Sequence, residues 1–120
     1  MNLASISENR DIEKRIAITP EIAKKYISLG FNLSLPKNYG IHLGFSDEEF
    51  KNLGTSFLEN EEELIKNANV IIQLGLPDNK KLSLFKENQT LIGSLNAFLN
   101  REKLEILKAS ITALYPAKFA

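Results

Sequence analysis

The 120-residue sequence contains no cysteine, which excludes a disulfide framework and any thiolate metal site. Its fifteen basic and fifteen acidic side chains cancel, leaving no electrostatic footprint for nucleic acid and no basic face for anionic lipid. No apolar run approaches the roughly 20 residues that a membrane-spanning helix needs. The N-terminal stretch from Met1 turns polar by Ser7-Glu8-Asn9-Arg10, too soon for a signal peptide. These absences together imply a soluble, cytoplasmic protein that would meet a membrane only through another chain. The six glycines (Gly30, Gly40, Gly44, Gly54, Gly75 and Gly93) include no G-x-G pair, so the dinucleotide fingerprint and the phosphate-binding P-loop are both missing. The single histidine, His42, lies in a loop with no second histidine and no carboxylate-rich cluster beside it, which argues against a metal site. No serine sits in a nucleophile elbow. Taken alone, the chain lacks the parts of an enzyme.

What is present is the composition of a globular domain: 43% hydrophobic and 25% charged residues, enough to bury one core over residues 1–120 without staples. Apolar runs of strand length alternate with helical patterns. Residues 3–6, 31–35, 70–74, 90–95 and 111–114 read as strands, and 15–18 as an alternating, strand-like extended entry that runs straight into the first helix. In that helix Ile22, Ala23, Tyr26 and Ile27 form one apolar stripe, and Gly30 follows Leu29 where a left-handed C-cap belongs. Ser46-Asp47-Glu48-Glu49 is a capping box, and Asn60-Glu61-Glu62-Glu63 repeats the device. Residues 78–85 and 101–109, the latter capped by Asn100, complete the helices. Strands separated by helices imply right-handed crossovers and an α/β fold. The expected architecture is a three-layer, doubly wound parallel sheet of about five strands, flavodoxin- or Rossmann-like.

In such a sheet ligands sit beyond the carboxyl ends of the strands. That rule selects Arg15, Gln73 and Asn96. Arg15 stands just before a helix start built from Thr19 as cap, Pro20 at the first helical position and Glu21 at the positive end of the dipole. A guanidinium there is placed to grip a carboxylate or phosphate; the alternative is a surface arginine beside an ordinary strand-to-helix turn. Gln73 ends the strongest strand, where its amide either meets a ligand or is simply solvated. Asn96 is either a ligand contact or a turn residue.

The landmarks also occur in a familiar order. Glu8-Asn9-Arg10 is followed by Arg15-Ile16-Ala17-Ile18-Thr19-Pro20, Leu29-Gly30-Phe31 and Tyr39-Gly40. Phe45-Ser46-Asp47-Glu48-Glu49-Phe50, Leu53-Gly54, Val70-Ile71-Ile72-Gln73 with Pro77, and Thr90-Leu91-Ile92 come next. From Ser7 to Ala120 this series resembles the N-terminal domain shared by alanine dehydrogenase and the alpha subunit of proton-translocating NAD(P) transhydrogenase. The resemblance implies that Arg15 matches the arginine that binds the substrate carboxylate in the dehydrogenases. Gln73 stands where the family usually has a lysine, and Asn96 where alanine dehydrogenase has its catalytic histidine. Neither amide serves as an acid or base at neutral pH, so the departures favour the transhydrogenase branch, whose hydride passes between two nicotinamides. For the intact enzyme the resemblance implies NAD(H) on a neighbouring domain, NADP(H) on a partner beta subunit, a membrane component that moves the proton, and a homodimeric assembly. No covalent intermediate is needed there, because positioning of the two rings supplies most of the effect. On this resemblance the family's glycine-rich dinucleotide domain lies beyond Ala120, Lys118 replaces an expected arginine, and the chain alone is expected to be inactive. Two alternatives stay open: a non-catalytic remnant that binds a small anion or partner chain through the Arg15 edge, and an alanine-dehydrogenase-like oxidoreductase domain.

Overall fold

The computed structural model describes residues 1–86, 88–93 and, for the backbone alone, 112–114. Six strands lie among them: β1 (Asn2–Ala4), β2 (Asn32–Pro36), β3 (Ser56–Leu58), β4 (Val70–Ile72), β5 (Thr90–Ile92) and β6 (Thr112–Leu114). The helices are α1 (Pro20–Ser28), α2 (Asp47–Lys51), α3 (Glu61–Asn67) and α4 (Asn79–Leu82), with a 3-10 turn over Ile41–Leu43. The strands form one sheet in the order β3-β2-β1-β4-β5-β6, and every pairing is parallel. The fold is α/β and doubly wound, as the alternation of elements requires.

Each helix begins where a side chain accepts a backbone amide. Thr19 takes the amide of Ile22 ahead of α1, Ser46 that of Glu49 ahead of α2, Asn60 that of Glu62 ahead of α3, and Asp78 that of Lys81 ahead of α4. Beyond α1 the chain turns through Gly30 at φ +94°, a backbone state that costs a side-chain-bearing residue energy and glycine little.

Two apolar layers hold the sheet. On one face Leu3, Leu33 and Leu35 pack with Ile16, Ile18, Ala23, Tyr39 and Phe50. On the other, Ala4, Ile6, Ile71 and Leu91 pack with Leu64, Ile65 and Ala68. Strands buried on both faces read as short apolar runs, which is why 70–72 stands out in the sequence. Gln89 ties α3 to the start of β5, its amide donating to the carbonyls of Ile65 and Ala68 at 2.6 and 2.9 Å.

The structure departs from expectation in three places. Residues 15–18 join no ladder. Ile16 and Ile18 are buried and Arg15 is exposed, so the alternation arises from a chain lying against the core rather than from a strand. Conversely, β3 is a sixth strand where about five were expected. Three residues squeezed between Gly54 and the Asn60 cap are too short for a periodic signal, and at the sheet edge they need only one neighbour. The helix expected over 78–85 contracts to Asn79–Leu82. Asn96 and the helix expected over 101–109 lie outside the described residues.

Candidate functional site

The chain leaves β1 for α1 on one face, whereas β4 is reached through α3 on the other. The carboxyl ends of β1 and β4, neighbours in the sheet, therefore flank the topological switch point where open α/β sheets place their ligands. At this position the structure builds a buried polar chain rather than an open slot.

Its first member is Ser5, fully buried one residue beyond β1. The Ser5 hydroxyl lies 2.7 Å from the Ile72 carbonyl and 3.0 Å from Gln73 Oε1, two acceptors that share its one proton. It also lies 2.8 Å from the Tyr39 hydroxyl, and Tyr39 accepts the Ile18 amide at 3.1 Å. Burial pushes the Tyr39 phenol up to about 12, so it remains a neutral hydrogen-bonding group at ordinary pH. Tyr39 thus pins the segment that leads into α1 to the end of β1.

Gln73 is 2% exposed, and its side chain acts as an extra rung between the two strands. Oε1 accepts the Ile6 amide at 2.7 Å, and Nε2 donates to the Ile6 carbonyl at 3.1 Å and to Glu8 Oε2 at 3.0 Å. The expectation of a solvated strand-end glutamine is therefore corrected. Burial denies the side chain water, and the backbone of Ile6 takes the amide instead. Both N–H groups of that amide are committed within the protein.

Glu8 completes the group. Its Oε2 also accepts the Leu74 amide at 2.8 Å, and its Oε1 accepts that of Gly75 at 3.1 Å. Partial burial raises the carboxyl above the ordinary carboxylate range. The two backbone amides and Lys81 oppose that shift, and the charge of Glu13 adds to it. Lys81 in α4 donates to the Ser7 carbonyl at 3.3 Å and pairs with Glu61 at 3.2 Å.

Arg15 lies at the rim with 78% of its side chain exposed. Its Nε and Nη2 reach Glu13 Oε2 and Oε1 at 3.0 and 2.7 Å, a two-point bond within one turn of chain. The hydrogen bonds to Glu13 raise the guanidinium further, and the same bonds hold the Glu13 carboxyl below its usual value. Gln73 is bonded to Glu8, whereas the Arg15 guanidinium is bonded to Glu13. His42 is exposed and braces the loop before Arg15, its Nε2 lying 2.7 Å from the Lys14 carbonyl. Among the described residues no cluster of three or more histidine or carboxylate side chains is set to hold a metal, and no helix is long and apolar enough to cross a membrane.

Sequence patterns alone do not single out Glu8, Ser5 and Tyr39 as site residues. A signal exists for Glu8: an acidic side chain just past an apolar strand end, inside the Glu8-Asn9-Arg10 landmark. Ser5 and Tyr39 carry none, because one reads as a strand residue and the other as part of a turn. A separate cavity of about 400 Å³, lined by Asn2, Ser34, Ser56, Leu58 and Asn67 among others, touches none of these groups.

The family described as "Alanine dehydrogenase/PNT, N-terminal domain" matches residues 5–116. The chain belongs to this family. An NAD(P) transhydrogenase subunit alpha polypeptide of Rickettsia prowazekii (strain Madrid E) is 30% identical over 109 residues, covering 88% of this chain and 28% of that protein. Alanine dehydrogenase 1 of Staphylococcus aureus (strain Mu50) is 29% identical over 115 residues, covering 95% and 30%. Among solved structures, an L-alanine dehydrogenase superposes with a TM-score of 0.84 at 20% identity, over 94% of this chain and 31% of that one. The chain thus spans less than a third of the length of these relatives. Its family is one of oxidoreductases, and both branches named in it are matched at nearly equal identity.

Proposed function

We infer that this chain serves as the N-terminal wall of an NAD(P) transhydrogenase alpha subunit, contributing to hydride transfer between NAD(H) and NADP(H) coupled to proton translocation. Identity does not separate the two branches, so the weight falls on the site. The supporting observation is Gln73. At the end of β4 stands a neutral amide whose N–H groups are bonded to Ile6 and Glu8, where the resemblance expects a lysine. An amide committed in this way offers neither a charge for a substrate carboxylate nor a proton for imine chemistry. Asn96, which replaces the dehydrogenase histidine, points the same way. A transhydrogenase needs neither group, since its reaction is carried by two held nicotinamide rings.

The residues at the switch point do not fit the pyrophosphate of a dinucleotide. No glycine lies between β1 and α1, and a carboxylate already takes the amides of Leu74 and Gly75. NAD(H) is accordingly assigned to a following domain of the alpha subunit, NADP(H) to the beta subunit, and the proton path to the membrane component. This domain's contribution is a rigid lip carrying Arg15, with Gln73 and Glu8 holding its two loops together, in a subunit that works as a homodimer. The test is reconstitution. Mixed with the complementary transhydrogenase polypeptides, the chain should restore hydride transfer from NADH to NADP and leave pyruvate- and ammonium-dependent NADH oxidation at background. The reverse pattern would overturn the assignment, as would tight NADH binding by the chain alone, followed by nicotinamide fluorescence.

A further inference from the structure

Single aliphatic side chains scattered over a surface are ordinary, whereas several gathered on neighbouring loops mark a contact. Of the large aliphatics left exposed among the described residues, Ile12 (77%), Ile41 (50%) and Leu43 (44%) stand on two loops that are tied to each other. Arg10 Nη2 donates to the Asn38 carbonyl at 2.7 Å, and His42 Nε2 lies 2.7 Å from the Lys14 carbonyl. Within the first loop the amides of Ile12 and Glu13 both reach the Asn9 carbonyl, and within the second the Leu43 amide reaches that of Gly40. The three side chains thus stand on a fixed support, an apolar knob that needs little further ordering when it is covered. An open concavity of about 330 Å³ with an almost wholly apolar wall lies between Pro20, the first residue of α1, and Leu53, just past α2. Knob and concavity share one shoulder of the molecule, since the first loop runs into α1 and the second into α2. Their charges are opposite. Arg10 and Lys14 flank the knob, Glu21 and Glu49 the concavity, and among the described residues none of the four is in an ion pair. Asp11 opposes the first pair and Lys24 the second, while Lys37 and Asp47, beside the Asn38 turn, offset each other. The knob therefore keeps a positive balance and the concavity a negative one.

We propose that two copies of this chain associate through this shoulder, the knob formed by Ile12, Ile41 and Leu43 of each seated in the concavity between Pro20 and Leu53 of the other. A twofold axis between the patches makes both contacts at once and leaves neither patch over, so the assembly closes at a pair. Each contact covers aliphatic side chains with an apolar wall and sets Arg10 and Lys14 against the carboxylates of Glu21 and Glu49, a complementarity that fixes the orientation. Three aliphatics a side offer less area than a standard interface, so the pair should be weak, with a dissociation constant on the order of 0.1 mM. The inference holds whichever branch of the family the chain serves. It assigns a contact surface within this domain, which the resemblance to a homodimeric enzyme does not.

The experiment follows the 120-residue chain, labelled with nitrogen-15, by sedimentation velocity and amide spectra from micromolar to millimolar concentration. The wild type should pass reversibly from monomer to dimer and stop there. Its concentration-dependent amide shifts should fall on both patches, at Ile12, Ile41 and Leu43 and at Glu21 and Leu53. Ile12→Asp alters a side chain that the fold leaves exposed, so it should keep the wild-type melting temperature. It should nevertheless weaken association at least about tenfold, because the dimer sets its charge against an apolar wall. Lys14→Glu reverses the sign of the knob and should weaken the pair; adding Glu21→Lys reverses the concavity as well and should recover it. A wild type that stays monomeric throughout, one that grows beyond a dimer, or shifts confined to other surfaces would overturn the proposal. So would an Ile12→Asp chain that pairs as well as the wild type, or a Lys14→Glu loss that Glu21→Lys leaves unrepaired.

Discussion

Replacing Tyr39 with Phe removes one oxygen from the centre of the structure and leaves the ring in place. The ring keeps its edge-on packing against Phe50, at a centroid distance of 6.1 Å, so no cavity larger than a hydroxyl opens. What is lost is the acceptor for the Ile18 amide and the partner of Ser5 Oγ. Ser5 keeps the Ile72 carbonyl and Gln73 Oε1. Ile18 is fully buried, and an amide stranded without a partner costs about 1–3 kcal/mol. At neutral pH the Tyr39→Phe chain should therefore be less stable by about 2 kcal/mol in urea titrations, with an unchanged m-value. The alkaline limb gives a second, independent check. The folded phenol titrates at about 12 against an ordinary value of 10.0, so above pH 10 the unfolded chain loses its proton first. A raised folded pKa means the stabilisation is complete below the unfolded value and disappears as pH rises through the folded one. Across pH 10 to 12 the wild type should thus give up roughly 2–3 kcal/mol that Tyr39→Phe does not. The difference between the two curves cancels the common effect of the lysines, and their order should narrow or invert towards the alkaline end. Parallel curves through that window, or equal stability at pH 7, would refute the claim that this hydroxyl is buried and bonded to Ile18.

Three further outcomes are expected. Gln73→Leu leaves the amide and carbonyl of Ile6 without their partner and takes one donor from Glu8, so denaturant unfolding should show a loss of about 2–4 kcal/mol; a loss below about 0.5 kcal/mol would mean the amide is not a strut. Arg15→Ala should leave the melting temperature unchanged, while the Glu13 carboxyl, now held low by the guanidinium, climbs back towards its ordinary value in a carbon-detected NMR titration. Gly30→Ala meets no atom within 4 Å of its new Cβ, so its expected cost of about 1 kcal/mol by chemical denaturation comes from the backbone at positive φ alone.

Much of the fold can be traced from local signals. The Ser46 and Asn60 caps, the glycine after α1 and the apolar run at 70–72 each announce their element, because capping, positive φ and two-faced burial leave marks on neighbouring residues. Residues 15–18 mislead for a related reason: alternation reports which side chains are buried, not whether the backbone has a ladder partner. The edge strand β3 leaves no mark, since its three residues are shorter than any window in which a period can be counted. Arg15 and Gln73 are visible as candidates from the strand-end rule. That rule locates a neighbourhood and says nothing about which groups there are already bonded to one another.

The contrast between Gln73 and Glu8 shows why the interior of the site is harder to read than its position. A glutamine and a glutamate separated by 65 positions have no joint signature in a single sequence. Each looks polar and exposable until the sheet places β4 beside β1. Once those strands pair, Gln73 is buried and Glu8 partly so, and the amide of Gln73 must find its partners within the protein. The amide satisfies Ile6 through both of its ends and passes its remaining proton to Glu8, whose carboxylate in turn takes the amides that begin the next loop. A lysine in place of Gln73 would bring a charge to this edge but no acceptor for the Ile6 amide. Gln73 therefore joins the two strand ends mechanically and leaves them uncharged. Gln73→Lys should accordingly cost about 2–3 kcal/mol in denaturant unfolding, since the Ile6 amide is left without its acceptor. A Gln73→Lys chain as stable as the wild type would show that the Ile6 amide does not depend on this side chain.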